Sequence, residues 1–143
     1  MYLRDATLSD RDQVVALWKA AGLVVDHNPP FEDFDRALAH PQSAVLVGEE
    51  NQTIIAACMV GDDGHRGWVY YLGVDPERRG QGLGREMMNA ASAWFLGRGL
   101  RKAQLMVRPN NHKVIGFYES IDWIEEPRAI FAKWIQPKFS EKA

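Results

Sequence analysis

Apolar residues recur at two spacings in the first half of the chain, and these predict helices and strands in turn. Val14, Trp18 and Ala21 lie three to four positions apart, which places them on one face of a helix. Residues 44–61 follow a strand pattern that is interrupted at the turn-prone residues 50–52, which predicts a hairpin. The elements predicted here are a strand at Tyr2–Ala6, a helix capped by Ser9 or Asp10 and ended by Gly22, a helix at Phe31–Ala39, and strands at Ala44–Glu49 and Thr53–Gly61.

The second half of the chain opens with Gly67–Val74, which is apolar at odd and even positions alike. Such a strand is buried on both faces, so we expect it to be central in the sheet. Leu83, Met87 and Ala91 return to helical spacing and predict a helix that ends at residues 97–99. The remaining predicted elements are a strand at Lys102–Val107, a helix at Lys113–Ile121 capped by Asn111, and an antiparallel pair of strands at Trp123–Glu126 and Ile130–Ile135.

The loop before the third helix combines glycine with positive charge. The predicted strand at Gly67–Val74, the helix after it and the strand at Lys102–Val107 together predict a right-handed crossover with parallel strands. Ligands bind outside the carboxyl ends of such strands. Glycine lets the backbone approach a ligand closely, and the N–H groups that open the helix point at anionic oxygens. The loop therefore predicts a phosphate cradle, unless it only caps a helix on a solvated surface. Its residues are Gly80, Gly82 and Gly84 with Arg78, Arg79 and Arg85.

Two other phosphate-binding loops do not match by spacing. A Walker loop needs Gly-x-x-x-x-Gly-Lys followed by Ser or Thr, and the chain has no such run. A dinucleotide fingerprint that starts at Gly80 meets Arg85 in place of its third glycine. One that starts at Gly82 meets Met87 there. A different kind of nucleotide-binding domain is therefore disfavoured.

Composition favours one globular domain spanning residues 1–143, because 46% of these residues are hydrophobic and 25% charged. The apolar runs are too short for a bilayer and the N-terminus is charged, so we expect a cytoplasmic protein that does not use a membrane. A net charge of −2 gives no support for nucleic-acid binding. Cys58 is the single cysteine, which excludes an internal disulfide and a cysteine-rich zinc site. We expect no metal, and a monomer or a homodimer.

Residues 78–84 contain the spacing Arg-x-x-Gly-x-Gly, and Leu-Gly-Val-Asp-Pro precedes it at residues 72–76. This combination resembles the acetyl-coenzyme A motif of the GNAT superfamily of N-acetyltransferases. Residues 107–123, with an asparagine and a helix that ends in Phe-Tyr-Glu, are similar to the second half of that domain. Asp122 stands where the family has glycine, so we expect it in a left-handed conformation. Residues 63–74 resemble in particular the YpeA-type bacterial acetyltransferases.

The resemblance implies the GNAT-like fold of the α/β class, with a mixed sheet of six to seven strands and four helices on both faces. It implies acetyl-coenzyme A as cosubstrate, with the pyrophosphate on the glycine loop and the pantetheine arm between splayed fourth and fifth strands. A backbone N–H near Gly73 would polarise the thioester carbonyl at a bulge, unless this glycine only makes room for a packed neighbour. The residues implied for cofactor binding are Leu72, Gly73, Val74, Arg79, Gly80, Gln81, Gly82, Leu83, Gly84, Arg85 and Asn111.

Acetyl transfer needs a proton for the departing thiolate, and this need points to Tyr118. A phenol has a pKa of about 10 and a thiol one of about 8.5, so a tyrosine near the sulfur can donate a proton as the bond breaks. By resemblance, Tyr118 occupies the position of the family's general acid. The alternative is a packed tyrosine with its hydroxyl at the surface.

A general base is harder to place, because residues 68–71 lack the glutamate that many GNAT enzymes have on the fourth strand. Asp62, Asp63 or His65 precede that strand and could act through a water, although His65 is equally a candidate solvated loop residue. Acceptor selection falls, by resemblance, to the first two helices and their connection. Its candidate residues are Trp18, Asp26, Asn28, Pro30 and Phe31, with core packing as the alternative for Trp18 and Phe31.

Two functions stay open on the sequence. The first is an N-acetyltransferase that acts on a primary amine of a small molecule, an amino acid or a protein N-terminus. The second is a noncatalytic acyl-coenzyme A sensor or regulatory module, which would keep the glycine loop and would not need Tyr118.

Overall fold

A computed structural model describes residues 1–140 of the chain. Two compact units make up this part: the first is Met1–Leu105 together with residues 139–140, and the second is Met106–Lys138. The first contains the sheet and three helices, and the second contains the last helix. In chain order the elements are β1 (Tyr2–Asp5), α1 (Arg11–Ala20), α2 (Pro30–Ala39), β2 (Ser43–Glu50), β3 (Thr53–Asp62), β4 (Gly67–Val74), α3 (Leu83–Gly97), β5 (Ala103–Gln104) and α4 (His112–Ser120), with short 3₁₀ turns at Leu8–Asp10 and Pro76–Arg78.

The sheet follows chain order, β1-β2-β3-β4-β5. The first four strands pair antiparallel, and β4 and β5 pair parallel, which confirms the mixed sheet and the parallel strands on either side of α3. The strand β4 has the predicted bounds and lies between two others, as expected, although β3 is the middle strand. The hairpin turn between β2 and β3 falls at Asn51 and Gln52, both with positive φ, as a two-residue turn of type I′ requires.

Helices cover both faces of the sheet. Val45 and Val47 of β2 belong to one buried cluster with Trp18 of α1 and Phe34 of α2. Leu46 lies between the two valines, so it points to the opposite face, where it is also buried. The helix α3 packs against β2, β3 and β4. This arrangement confirms the predicted α/β class.

Helix ends follow the local chemistry of the chain. Asp122 adopts φ +70°, and the N–H groups of Asp122 and Trp123 donate to the carbonyls of Glu119 and Tyr118 at 3.2 and 3.0 Å. This is a Schellman motif with aspartate in the position that glycine usually takes. The predicted left-handed conformation of Asp122 is therefore confirmed. At the start of the same helix, the Asn111 side chain accepts from the Val114 N–H at 3.2 Å, which confirms the predicted cap.

The predicted end of the sheet is wrong. Strand β5 comprises Ala103–Gln104 rather than Lys102–Val107, and within residues 1–140 neither Trp123–Glu126 nor Ile130–Ile135 is a strand. Five strands therefore stand where six to seven are expected. A strand is defined by its ladder partner, and an isolated two-stranded hairpin is at best marginally stable.

Cys58 is fully buried in β3, and burial raises the pKa of its thiol to about 12. The thiol is therefore inert at neutral pH. Within the described part of the chain, no helix has the length and apolar character needed to cross a membrane.

One ion-pair network ties β1 to the start of α1 and to β2. The Arg4 guanidinium donates to the Asp10 carboxylate at 2.7 and 3.0 Å and to Glu49 Oε1 at 3.2 Å. The same carboxylate accepts from the backbone N–H of Thr7 at 2.8 Å. Asp10 is only 7% exposed, and these bonds, led by that with Arg4, lower its pKa from 3.8 to about 2.

Stability should therefore fall in acid through Asp10. A carboxylate whose pKa is lower in the folded state adds stability above its unfolded pKa of 3.8, and this stability is lost as the pH falls toward about 2. We expect Asp10→Asn to lower the free energy of unfolding at pH 7 by on the order of 1–2 kcal/mol. In urea titrations the difference in the free energy of unfolding between Asp10→Asn and wild type should vanish near pH 2. The control is Asp12→Asn, since the Asp12 side chain is 88% exposed. An equal effect of both variants would contradict this role of Asp10.

Candidate active site

The glycine loop joins the carboxyl end of β4 to the start of α3. Gly80 and Gly82 both have φ +78°, a conformation that side chains disfavour. A Cβ added at either glycine would meet no atom of the described chain within 4 Å. The two glycines are therefore required by the backbone turn and not by packing. The loop leaves open space beside it that a ligand could occupy.

The helix α3 presents its N-terminus to this loop. Its first helical hydrogen bond runs from the Glu86 N–H to the Gly82 carbonyl at 3.1 Å. The N–H groups of residues 83–85 precede this bond and so have no acceptor within the helix. They lie at the positive end of the helix dipole of a 15-residue helix, Leu83–Gly97. This is the arrangement that binds anionic oxygens in many proteins.

The arginines of the loop have different surroundings. Arg78 donates to Glu50 Oε2 at 2.9 Å and to Gln81 Oε1 at 3.1 Å, so it fastens the loop to the end of β2. The Arg78 charge also holds the pKa of Glu50 below its usual range. Arg79 is exposed, and within residues 1–140 nothing forms a hydrogen bond or ion pair with its guanidinium. Arg79 is thus the loop cation best suited to a bound anion. Arg85, on the first turn of α3, is also exposed.

Strand β4 contains a bulge. Its register with β3 pairs Ala57 with Gly73 but Met59 with Tyr70, so Tyr71 and Leu72 together oppose the single residue Cys58. Such a bulge leaves one residue out of the ladder. The recorded pairing of β4 with β5 ends at Trp68 and Gln104. The backbone of the second half of β4 is therefore not paired with β5, which is only two residues long, and the expected splay of the two strands stays a prediction.

Gly73 is buried beside the bulge, and an added Cβ would lie 3.0 Å from Leu23 Cδ1 and 3.6 Å from Trp18 Cδ1. Packing against α1 and its C-terminal turn therefore explains this glycine. The extra residue that the sequence associated with Gly73 falls instead at Tyr71, which has φ +55°. A left-handed conformation costs an ordinary residue about 1–2 kcal/mol. Sequence reasoning missed Tyr71, because aromatic residues are not a signal for positive φ.

Two further contacts hold the Tyr71 side chain. Its ring stacks on Trp18, with centroids 4.2 Å apart and planes at 17°. Its hydroxyl donates to Asp33 Oδ2, on the first turn of α2, at 2.7 Å. Burial, followed by the interaction with Asp33, raises the pKa of the Tyr71 phenol, so the hydroxyl keeps its proton at neutral pH.

The candidate bases lie at the other end of β4. Asp63 Oδ1 accepts from the N–H groups of His65 and Arg66, its Oδ2 accepts from Trp68 Nε1, and these bonds lower its pKa. Asp62 pairs with Arg98 at 3.1 Å. From Gly67 to Leu72 a strand covers about 16 Å at ~3.3 Å per residue. These carboxylates therefore serve the turn and stand far from the bulge.

Tyr118 lies in the second unit, on α4. Its ring is half-buried and packs against Phe117 and Trp123, with centroids 5.0 and 6.1 Å apart. Asn111, the other site residue predicted there, uses its side-chain oxygen to cap the same helix. The roles of both in the reaction remain predictions.

The residues expected to select an acceptor have different environments. Trp18 is fully buried, and its Nε1 has no acceptor in the described chain. Phe31 is 41% exposed, with Arg11 and Lys19 over its ring at 5.5 and 5.4 Å. Pro30 is buried at the start of α2. Trp18 is thus a core residue, and Phe31 is the aromatic side chain of this set that solvent reaches. Among residues 1–140, no cluster of His, Cys, Asp and Glu could hold a metal ion.

Comparison with solved structures supports the fold. An aminoglycoside N-acetyltransferase in complex with CoA has a TM-score of 0.82 and 16% identity, covering 94% of this chain and 95% of its own. An aminoglycoside antibiotic 6'-N-acetyltransferase from Acinetobacter haemolyticus has a TM-score of 0.79 and 16% identity, covering 95% of this chain and 100% of its own. At this level of identity the likeness establishes the fold alone.

Comparison of sequences establishes the family. The model of the acetyltransferase (GNAT) family matches residues 11–123. An acetyltransferase of Yersinia pestis (strain Pestoides F) is 37% identical over 133 residues, which cover 93% of this chain and 94% of that protein. An acetyltransferase of Pectobacterium atrosepticum is 38% identical over 123 residues, covering 86% and 87%. The chain therefore belongs to the acetyltransferase (GNAT) family and is an N-acetyltransferase.

Proposed function

We propose that the protein transfers the acetyl group of acetyl-coenzyme A to a primary amine. The observation that carries this proposal is the pair of left-handed glycines, Gly80 and Gly82, between a bulged strand and the open N-terminus of α3. A pyrophosphate fits such a loop because backbone N–H groups and the helix dipole both favour negative charge. The solved neighbour in complex with CoA has the same fold and supports this choice of cosubstrate.

Backbone groups and one side chain share the binding of acetyl-coenzyme A. The N–H groups of residues 83–85 hold the phosphate oxygens, and Gly80 and Gly82 keep side chains out of the way. Arg79 adds a positive charge at the rim. The backbone of residues 72–74 holds the pantetheine arm on the part of β4 that β5 does not pair. An N–H at the bulge donates to the thioester oxygen as negative charge develops there.

The reaction follows from these positions. The amine nitrogen attacks the thioester carbon, the carbon–sulfur bond breaks, and the sulfur leaves as a thiolate. Tyr118 gives this thiolate its proton. The nitrogen loses a proton to a base, which is water where the acceptor is an α-amine with a pKa of about 8. For an alkyl amine with a pKa of about 10.4, a protein base or a water relay is needed.

The acceptor is a small molecule, an amino acid or a protein N-terminus that approaches the side of α1 and α2. Solved neighbours named aminoglycoside acetyltransferases support an amine as the acceptor, without selecting among these three classes. We place the enzyme in the cytoplasm as a single domain, either monomeric or homodimeric.

The experiment that tests this function is release of free thiol from acetyl-coenzyme A against a panel of aminoglycosides, amino acids, polyamines and peptides. Isothermal titration with acetyl-coenzyme A, ADP and NAD accompanies it. We expect selective binding of acetyl-coenzyme A and amine-dependent thiol release. Tight binding with no turnover on any amine would favour an acyl-coenzyme A sensor instead.

Gly82→Asp and Gly82→Val should abolish acetyl-coenzyme A binding while the fold survives. A side chain here enters the space reserved for the pyrophosphate, and aspartate also repels it. Calorimetry measures the affinity, and circular dichroism checks the fold. The control is Gly99→Asp, at the other end of α3, where φ is +76° and a Cβ also meets nothing within 4 Å. Normal affinity in a folded Gly82 variant would refute the site.

Arg79→Ala should weaken acetyl-coenzyme A binding less than the Gly82 variants do. Backbone groups carry most of the contact, and an exposed charge is screened by salt. We expect a loss of about tenfold at low salt that shrinks at 0.5 M salt. Arg101→Ala, a change of another exposed arginine, should leave affinity unchanged. A salt-independent loss would exclude a simple charge role for Arg79.

Tyr118→Phe should lower kcat by about 10²-fold with little change in the KM for acetyl-coenzyme A. The ring keeps its packing on Phe117 and Trp123, and the hydroxyl acts only as charge develops on sulfur. Tyr2→Phe, at an exposed tyrosine of β1, is the control. An unchanged kcat, where the absence of a pre-steady-state burst shows that product release is not limiting, would remove Tyr118 from the mechanism.

A further inference from the structure

Tyr71 occupies the first position of a bulge whose left-handed conformation normally selects glycine. Residues in such conformations persist only where their surroundings hold them, and they cluster at functional sites. The left-handed conformation is confined to Tyr71, since neither Tyr70 nor Leu72 has a positive φ. What distinguishes Tyr71 is its side chain, which two helices hold.

The first contact is with α1. The Tyr71 ring lies on Trp18 at a centroid distance of 4.2 Å, nearly parallel to it. Trp18 cannot move away easily, because it is fully buried and meets the edge of Phe34 at 6.4 Å. Gly73, two residues further along β4, lies beside this indole, since a Cβ there would be 3.6 Å from Trp18 Cδ1. The stack therefore fixes where the ring of Tyr71 lies.

The second contact is with α2 and fixes the end of the ring. The Tyr71 hydroxyl donates to Asp33 Oδ2 at 2.7 Å, and both residues are half-buried. A hydrogen bond to a charged acceptor is stronger than one between neutral groups. With the ring plane and the hydroxyl both held, the backbone that carries this side chain has little freedom to return to an extended conformation.

We propose that Tyr71 is a positioning residue, whose side chain, held by Trp18 and Asp33, keeps the β4 bulge in the conformation that aims a backbone N–H at the thioester. This inference rests on the proposed acetyl transfer from acetyl-coenzyme A. The reacting atoms touch backbone, and the Tyr71 hydroxyl acts through that backbone alone. Asp33 is needed as a hydrogen-bond acceptor, and its charge takes no part in the reaction.

Three variants separate these roles. Tyr71→Phe keeps the stack on Trp18 and removes the bond to Asp33. Asp33→Ala removes the same bond from the other side, and Asp33→Asn keeps an oxygen that can accept it. Tyr70→Phe is the matched control, because Tyr70 is the adjacent residue of the same strand, is 41% exposed and contacts Trp68 instead.

We expect Tyr71→Phe and Asp33→Ala each to lower kcat by about tenfold to 10²-fold, because a donor that is slightly misplaced loses much of its effect on the transition state. The affinity for acetyl-coenzyme A should stay within about twofold, since the pyrophosphate site is elsewhere. The double variant should be no slower than either single one, because both remove one bond. Asp33→Asn should retain most of the wild-type kcat, and Tyr70→Phe all of it.

Crystal structures of wild type and Tyr71→Phe supply a readout that does not depend on turnover. We expect φ of residue 71 to be positive in wild type and to leave the left-handed region in the variant. If wild type transfers no acetyl group, the proposed function fails, and this angle alone decides whether the side chain holds the bulge. An unchanged angle overturns the proposal. So does an unchanged kcat in Tyr71→Phe, or an Asp33→Asn variant as slow as Asp33→Ala.

Discussion

The extra residue in β4 decides which side chains of that strand face which layer of the protein. Residues an even number of positions apart normally share a face. Gly67 and Gly73 are six apart, yet a Cβ on Gly67 would meet Phe95 of α3, and one on Gly73 would meet Leu23 and Trp18 on the side of α1. The bulge at Tyr71 and Leu72 accounts for this reversal. Odd-numbered positions therefore face α3 before the bulge and α1 after it, and the bulge takes backbone out of the ladder at the same point.

The glycine loop depends on that strand, because β4 delivers the chain to the start of α3. Asp75 caps the start of the 3₁₀ turn after β4, where its side chain accepts from the Glu77 N–H at 3.0 Å. Arg78 joins the same turn to Glu50. The positive charge of Arg78 is thus paired with Glu50 and holds the loop in place, while Arg79 remains exposed to solvent. The family's chemistry is consistent with this division, since an anion is held mainly by backbone and by the helix dipole.

Much of this could be predicted from local pattern. The bounds of β4, the glycine loop and the left-handed Asp122 each follow from residue types whose backbone preferences are strong. The last two strands were mispredicted because alternation reports which face is apolar and says nothing of whether a ladder partner exists. The contact of Tyr71 with Asp33 joins residues 38 positions apart, so no local pattern encodes it. Trp18 was a candidate acceptor contact on the sequence, and its complete burial makes it a support for Tyr71 instead.

The central claim is that acetyl-coenzyme A lies along β4 with its pyrophosphate on the glycine loop. A crystal structure of the protein with a nonhydrolysable thioether analogue of acetyl-coenzyme A tests it most directly. We expect pyrophosphate oxygens within about 3 Å of the N–H groups of residues 83–85, and the carbonyl oxygen of the analogue at the same distance from a backbone N–H of the β4 bulge. A pyrophosphate bound elsewhere, for example beside Arg66 and Arg98 at the opposite end of β4, would contradict the account.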